Sequence, residues 1–364
     1  MAAAYYCFGG TMKESLKSFI LVILSIILFV TSFSFNALDT KAANKPVVIV
    51  IDPGHGGVGE KNTGAIYNGL TEKDLTLKVA NAMKTELEKY ENVTVYLTHI
   101  KDEFMSLEDR AEFAKKVAAD FVYSIHFNAS AEHSFYGSEV WCSAFGKYYQ
   151  QGFDFGLLAS NELATLGLYQ KGVKTKIGKT GQDYYGIIRH CQARGIPCDI
   201  IEHCYLDHAY DAKILKENTY DVYTALGVCD ATAVAKYFNL KSKDGTKDYT
   251  NFKYYNVKKP SGKVRQDTTA PDKCSIKVLG YDSASRNALV ELTASDAQSP
   301  VIFFSFSYDG GNTFCPLGMW DRTKTTQSFN INIPKALTEA GIVVRAYNSY
   351  ELYSTSNEVK IETR

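Results

Sequence analysis

Short apolar runs and amphipathic segments alternate along the chain after residue 44. Apolar runs predict strands at residues 46–52, 93–98 and 121–125. A helix is predicted from Thr71, because apolar residues then recur every four positions. A second helix is predicted from Ser106, which forms a capping-box-like start with Asp109. This alternation of strands and helices is typical of an α/β fold.

The pattern changes after residue 240. Residues 241–268 are polar and charged, which is linker composition. Residues 269–364 carry short stretches of alternating polarity, which predict the strands of a β-sandwich at 275–279, 288–293, 301–308, 329–333 and 342–347. This region resembles immunoglobulin-like or fibronectin-like modules of bacterial surface proteins. We expect it to be dispensable for chemistry on soluble substrate fragments, because every candidate catalytic residue lies before residue 240.

The first 43 residues have the features of a secretory signal. Lys13 and Lys17 precede an uncharged apolar stretch at 19–30, and small residues follow at Ala42 and Ala43. Cleavage there would release a secreted or cell-wall-associated protein. The alternative is an uncleaved anchor, since residues 18–38 are free of charge and long enough to span a bilayer.

Charge and cysteine content narrow the functional class. Forty basic residues balance forty acidic ones, so the chain has no global basic surface of the kind that nucleic-acid binding requires. The eight cysteines form no repeated CxxC pattern. Cys7 would leave with the signal, and the seven that remain are an odd number. At least one thiol should therefore be free or paired between chains.

Two histidines follow apolar runs and are the first candidate metal ligands. His55 lies among glycines directly after the first predicted strand, and His126 follows the third. Strands of an α/β sheet bring their carboxyl ends to one edge, so both imidazoles should meet there. Flexible glycines leave one face of His55 open, which suits a metal that keeps a position free for water or substrate.

Two glutamates complete the candidate site. Glu72 opens the helix after Thr71 and is the predicted third ligand; alternatively it only complements the helix dipole. Glu202 ends a further apolar run that begins at Gly195, and we predict that it acts as a general base. The alternative is a structural ion pair with Arg189 or Arg194.

These motifs together make the region 44–240 resemble the zinc-dependent N-acetylmuramoyl-L-alanine amidases. The resemblance is carried by separated motifs in the right order, namely Asp52-Pro53-Gly54-His55-Gly56-Gly57, Glu72, Ser106-Leu107-Glu108-Asp109-Arg110, Ser124-Ile125-His126-Phe127-Asn128 and the strand with Glu202. It implies a mixed sheet with helices on both faces. It further implies that His55, Glu72 and His126 bind zinc and that Glu202 is the catalytic acid/base.

The chain departs from the family pattern at two places. The family usually has Gly-Phe after the catalytic glutamate, whereas this chain has His203 and Cys204. These residues could alter substrate preference or attract a second metal. Family members also tend to carry arginine where this chain has His99.

The resemblance implies hydrolysis of the amide between N-acetylmuramic acid and L-alanine in peptidoglycan, for remodelling or lysis of the cell wall. A zinc exopeptidase on a related scaffold is an alternative, but it would usually need a cationic clamp or a second metal. The alternative outside enzymes is an inactive wall-binding or adhesion protein. Retention of His55, Glu72, His126 and Glu202 argues against that alternative.

Overall fold

A mixed six-stranded sheet forms the centre of the N-terminal region in the computed structural model, which describes residues 45–216 and 221–363. Its strands are β1 (Val47–Pro53), β4 (Val93–Leu97), β5 (Phe121–Asn128), β6 (Ser138–Trp141), β7 (Gln170–Lys174) and β8 (Cys198–Tyr205). Their spatial order is β4-β1-β5-β8-β6-β7. The first four in this order are mutually parallel, whereas β6 runs antiparallel to β8 and parallel to β7. A two-stranded hairpin of β2 (Ile66–Tyr67) and β3 (Leu70–Thr71) precedes the long second helix.

Helices cover both faces of this sheet, so the predicted fold class is confirmed. On one face lie α2 (Glu72–Leu87), α4 (Gly146–Ala164) and α7 (Val222–Tyr237), which share the larger apolar core. On the other face lie α3 (Leu107–Lys116) and α5 (Gly186–Ala193), around a smaller core. Two short helices, α1 (Glu60–Thr63) and α6 (Ala209–Lys216), complete the region.

The local signals for the two helices near the site are confirmed. All four apolar positions predicted for α2 are buried, namely Leu75, Val79, Met83 and Leu87. Ser106 caps α3, because its hydroxyl accepts a hydrogen bond from the backbone N–H of Asp109 at 3.1 Å. The buried face of α2 and the start of α3 are therefore set by their own sequence, whereas the side chain of Thr71 makes no capping hydrogen bond at the start of α2.

Two strands continue beyond their predicted ends. β5 extends past His126 to Asn128, and β8 extends past Glu202 to Tyr205. In the ladder His126 is the partner of Glu202, which in turn pairs with Glu139 of β6. Polar residues stay in these strands because neighbours on both sides satisfy the backbone. An apolar run alone does not reveal that pairing.

The C-terminal region consists of two antiparallel sheets around one apolar core. The first sheet contains β9 (Lys273–Asp282), β10 (Asn287–Ser295) and β13 (Thr326–Asn332). The second contains β11 (Val301–Ser307), β12 (Gly318–Met319), β14 (Glu339–Asn348), β15 (Tyr353–Thr355) and β16 (Val359–Glu362). An all-β region after the α/β fold is therefore confirmed.

The segment 241–268, whose composition predicts a linker, packs against the α/β region. Phe252 and Tyr254 contact the larger apolar core. The N–H of Val257 donates to Asp154 at 2.8 Å, and the N–H of Val264 donates to the carbonyl of Ala144 at 2.9 Å. A few such anchors hold a polar segment in place, so its composition does not make it a free tether.

The predicted signal segment at residues 1–43 lies outside the described residues. Within the described ranges, no helix is long and apolar enough to cross a membrane. Among these same residues every cysteine is a free thiol, and five of the seven are buried. The expectation of at least one free thiol is thus met without any disulfide in the described part of the chain.

Candidate metal centre and catalytic cleft

The turn after β1 presents His55 to the edge of the sheet. His55 itself has a positive φ of 67°, and Gly56 and Gly57 follow with φ of 118° and 87°. Such a run of left-handed backbone is costly for most residues, which explains the glycines beside His55. Gly54 has a different role, because a Cβ there would lie 2.4 Å from Cε1 of His126. The absence of a side chain at Gly54 lets the two histidine rings approach to 5.1 Å between centroids.

The carboxylate of Glu72 lies between the two imidazoles. Its Oε2 is 3.2 Å from Nε2 of His55, and its Oε1 is 2.9 Å from Nδ1 of His126. Backbone N–H groups of Ala65 and Phe127 donate to the same two oxygens at 2.8 and 3.1 Å. Glu72 is buried, so its position is fixed by these contacts more than by the helix dipole.

The His–Glu–His group, defined as His55, Glu72 and His126, could hold a metal ion. One ligand atom from each residue lies within 4.8 Å of the other two. A tetrahedral zinc ion with bonds of about 2.0–2.1 Å needs ligand atoms about 3.3 Å apart, so small side-chain adjustments would suffice. Burial raises the pKa of Glu72, but hydrogen bonds and charges from His126 and His55 outweigh it and hold the pKa below the ordinary value. Two imidazoles and an ionised carboxylate are a donor set that fits zinc.

A buried ion pair supports the turn that carries His55. Nη1 of Arg110 donates to Oδ1 of Asp52 at 2.8 Å and to the carbonyl of Pro53 at 2.6 Å, and Nη2 donates to the carbonyl of His55 at 2.5 Å. The hydroxyls of Thr98 and Ser124 also donate hydrogen bonds to the carboxylate of Asp52. One arginine thus holds the backbone on both sides of Gly54. The sequence places Arg110 in a family motif but gives no sign of this role.

Glu202 lies beside the His–Glu–His group on the same face of the sheet as His126. Its Oε2 is buried and has no hydrogen-bond partner among the described residues. Burial, followed by the negative charges of Glu72 and Glu139, raises the pKa of Glu202 well above its ordinary value. A buried carboxyl oxygen without a hydrogen-bond partner is costly to fold, so its presence here points to a chemical use.

The two arginines proposed as ion-pair partners for Glu202 bind elsewhere. Arg189 donates to the carbonyl oxygens of Asp183 and Tyr184. Arg194 pairs with two exposed glutamates of α3, Glu108 and Glu112. The ion-pair interpretation of Glu202 is therefore not supported.

A buried charge network that the sequence did not predict lies next to Glu202. Oε2 of Glu139 forms ion pairs with Nζ of Lys171 at 3.0 Å and with Nζ of Lys174 at 2.6 Å. Burial raises the pKa of Glu139, but the two lysines outweigh it and lower the pKa to about 2. The available signal was the presence of Glu139, Lys171 and Lys174 within two short strands, β6 and β7.

The residues that replace the usual Gly-Phe do not enter the site. His203 is fully buried and its Nε2 lies 3.0 Å from Oδ2 of Asp230, while its Nδ1 lies 3.1 Å from the carbonyl oxygen of His126. Cys204 belongs to the larger apolar core. Within the described ranges, the His–Glu–His group is the one cluster of three or more such side chains with metal-ligand spacing.

Two neighbouring cavities open onto these residues. One, of about 390 Å³, is lined by His55, His126 and Arg110. The other, of about 530 Å³, is lined by Glu202 and Glu139. Tyr185 lines both cavities and so lies at their junction. A substrate could extend from one cavity to the other past the candidate metal ligands and Glu202.

The α/β region is similar in sequence to known proteins. Residues 49–233 match a family model described as N-acetylmuramoyl-L-alanine amidase (Amidase_3). N-acetylmuramoyl-L-alanine amidase LytC of Bacillus subtilis is 33% identical over 205 residues, which cover 54% of this chain and 38% of LytC. The sporulation-specific N-acetylmuramoyl-L-alanine amidase of the same organism is 32% identical over 198 residues, covering 54% of this chain and 69% of that protein.

A solved structure is also similar to this chain. The catalytic domain of CwlV, an N-acetylmuramoyl-L-alanine amidase from Bacillus (Paenibacillus) polymyxa var. colistinus, is 25% identical and has a TM-score of 0.44. The match covers 54% of this chain and 99% of that domain. The family match ends at residue 233, so it does not include the C-terminal β region.

Proposed function

Because the chain belongs to the N-acetylmuramoyl-L-alanine amidase family, we propose that it hydrolyses the amide between N-acetylmuramic acid and L-alanine in peptidoglycan. The observation that carries this proposal is that Glu202, whose Oε2 is buried without a hydrogen-bond partner among the described residues, lies directly beside His126 of the His–Glu–His group in the sheet. A hydrolase of amides needs a means to activate water and a group to move its proton. The two halves of the site match those two needs.

We assign His55, Glu72 and His126 as ligands of a zinc ion. When bound, zinc supplies Lewis acidity that makes water a nucleophile at neutral pH. The low pKa of Glu72 keeps its carboxylate ionised and ready to bind a cation. Gly54 keeps the space beside the His126 ring free of a side chain, because a Cβ there would lie 2.4 Å from Cε1 of His126.

We assign Glu202 as the general base and acid. Its carboxyl takes the proton from the attacking water and delivers it to the nitrogen of L-alanine as the amide breaks. Burial and the nearby charges of Glu72 and Glu139 give Glu202 a higher proton affinity than an exposed glutamate has. That affinity suits a group that must hold a proton between two steps.

The cellular setting is part of the proposal. A substrate in the cell wall requires the protein to act outside the cytoplasm, and a signal at residues 1–43 would deliver it there. We propose that the protein is secreted or wall-associated, with an immunoglobulin-like module at 269–364 that supports action on intact walls.

The test is incubation of the purified protein with peptidoglycan, with and without a chelator, followed by identification of the new chain termini. We expect new amino termini on L-alanine and their loss with the chelator. Release of single amino acids from peptide ends would instead indicate an exopeptidase. No new termini at all would indicate a wall-binding protein without activity.

Two substitutions separate metal binding from proton transfer. Glu202→Gln should retain about one zinc per chain while activity falls about a hundred- to ten-thousand-fold. His126→Ala should lose zinc and activity together. Glu91→Gln, an exposed residue remote in sequence from every assigned residue, is the matched control and should behave as wild type. Stoichiometric zinc in His126→Ala, or near wild-type turnover in zinc-loaded Glu202→Gln, would refute the corresponding assignment.

A further inference from the structure

The cavity that contains Glu202 is closed on one side by residues of the C-terminal region. Tyr350, Glu351 and Leu352 line it, and all three belong to the turn between β14 and β15. We propose that this turn, residues 348–352, is part of the substrate-binding surface, and that Tyr350 contacts the stem peptide of a muramoyl-peptide. This inference rests on the proposed amidase function and deepens it. It departs from the sequence-based expectation that residues 269–364 are dispensable for action on soluble fragments, because this turn lines the cavity beside Glu202.

The turn is held in one shape by a buried asparagine. Oδ1 of Asn348 accepts hydrogen bonds from the N–H groups of Tyr350 at 3.0 Å and Leu352 at 3.1 Å. Nδ2 of Asn348 donates to Asp267, which lies beside the same cavity, at 3.0 Å. Glu351 has a φ of 67°, a left-handed conformation that a glutamate rarely adopts unless its surroundings impose it. The 348–352 turn is thus preorganised.

An ion pair between Glu351 and the buried Lys171 fixes the turn on the α/β region. The carboxylate of Glu351 contacts Nζ of Lys171 and accepts a hydrogen bond from the hydroxyl of Tyr205 at 2.7 Å. Lys171 is fully buried, and its other carboxylate partner is Glu139. The C-terminal region therefore supplies one of the two carboxylates that balance this ammonium. The contact joins the 348–352 turn to the charge network next to Glu202.

Tyr350 forms an aromatic wall together with residues of the α/β region. Its hydroxyl lies 3.2 Å from both the backbone N–H and the carbonyl of Thr175. Its ring lies 6.2 Å from that of Trp141, which in turn lies 5.1 Å from that of Tyr185. Nζ of Lys174 approaches the rings of both Trp141 and Tyr350. The wall thus runs from the 348–352 turn to Tyr185, where the two cavities meet.

The covered ring of Trp141 indicates which part of the substrate this wall contacts. Trp141 is only 9% exposed, so it offers no open face on which a sugar ring could stack. The half-buried edge of Tyr350 and the polar groups around it can contact the side chains and amides of an extended peptide. We therefore assign the stem peptide, and not the glycan, to this cavity.

Kinetics of full-length variants on two soluble substrates test the assignment. Muramoyl-L-alanine ends next to the scissile amide, whereas muramoyl-pentapeptide extends along the proposed wall. For Tyr350→Ala we expect KM for the pentapeptide to rise about three- to tenfold with little change in kcat, and no such rise for muramoyl-L-alanine. Tyr350→Phe keeps the ring and should restore a nearly normal KM. Tyr353→Ala, an exposed tyrosine on β15, is the matched control and should leave both substrates unaffected.

Binding without turnover gives a second measurement. Calorimetric titration of the pentapeptide into full-length Glu202→Gln should give a Kd that rises by the same factor when Tyr350→Ala is added. Thermal melting and zinc content show whether each variant is folded. If Tyr350→Ala fails to fold, Tyr350→Leu replaces it and should give the same selective rise in KM.

The outcomes distinguish failure of this inference from failure of the proposed function. If wild type neither binds nor cleaves either muramoyl substrate, both are overturned. If wild type cleaves and Tyr350→Ala has unchanged KM for the pentapeptide, only the inference is overturned. An equal loss on both substrates that Tyr350→Phe does not restore would indicate a purely structural role. A loss seen only when the glycan is lengthened would overturn the assignment to the peptide.

Discussion

Replacement of Arg110 by methionine should destabilise the α/β region strongly. The guanidinium is 4% exposed and makes three hydrogen bonds to the segment from Asp52 to His55. Methionine fills much of the same volume but leaves the Asp52 carboxylate buried without its cation. Removing one partner of a buried ion pair costs about 3–5 kcal/mol. That is a large part of the roughly 5–15 kcal/mol by which a typical domain is stable.

The loss of stability in Arg110→Met has two causes, the missing charge and the missing hydrogen-bond geometry, and Arg110→Lys separates them. Lysine restores a positive charge near Asp52 but has no planar fork to reach both Asp52 and the carbonyl of His55. We expect it to recover only part of the loss. The carbonyl of His55 would lose its hydrogen-bond donor in both variants, so zinc affinity should fall in both. We expect the highest affinity in wild type, a lower one in Arg110→Lys and the lowest in Arg110→Met.

Urea unfolding followed by fluorescence measures the loss, with zinc content determined on the same samples. Arg194→Met is the matched control, because Arg194 pairs with exposed Glu108 and Glu112 on the surface of the same helix that carries Arg110. Solvent screens such pairs, so the control should unfold close to wild type. If Arg110→Met unfolds at the same urea concentration as Arg194→Met, the buried pair does not support the turn and the reasoning is wrong.

Three further predictions concern space, protons and metal. Gly64→Ala should abolish zinc binding, because its Cβ would lie 2.4 Å from Oε2 of Glu72. The control is Gly69→Ala, since Gly69 has nearly the same positive φ but open space around it, so this variant measures the cost of backbone strain alone. Equal loss of zinc in both variants would contradict the steric argument. Burial raises the pKa of Asp52, but the charge of Arg110 and three hydrogen bonds outweigh burial and lower the pKa below its ordinary value of 3.8. The stability that the Asp52 carboxylate contributes is therefore present above pH 3.8 and is lost as the pH falls through the lower pKa of the folded state. Acid unfolding of Asp52→Asn should therefore depend less steeply on pH than that of wild type, and parallel curves would exclude this role. Zinc at one hundred times its Kd should raise the free energy of unfolding of the metal-free protein by about 2.7 kcal/mol, measured by denaturant titration, and His126→Ala should show no rise.

Local sequence predicted β1, β4, β5 and β8 together with the helices α2 and α3, because each of these signals depends on near neighbours. The spacing of Leu75, Val79, Met83 and Leu87 indicates α2, and Ser106 with Asp109 indicates the start of α3. Strand ends were harder to predict, since the ladder continues wherever a neighbouring strand satisfies the backbone. That is why β5 and β8 extend past His126 and Glu202.

By itself the sequence determined the fold class and named four residues that the fold brings close together, His55, Glu72, His126 and Glu202. Tertiary structure alone decided what surrounds them. Arg110 meets Asp52 across 58 residues of chain, and Glu351 meets Lys171 across 180. No local pattern encodes such pairs, because burial and charge balance are fixed only when distant segments share one interior. The peptide wall proposed at Tyr350 exists for the same reason, since the C-terminal turn becomes part of the cleft only in the folded chain.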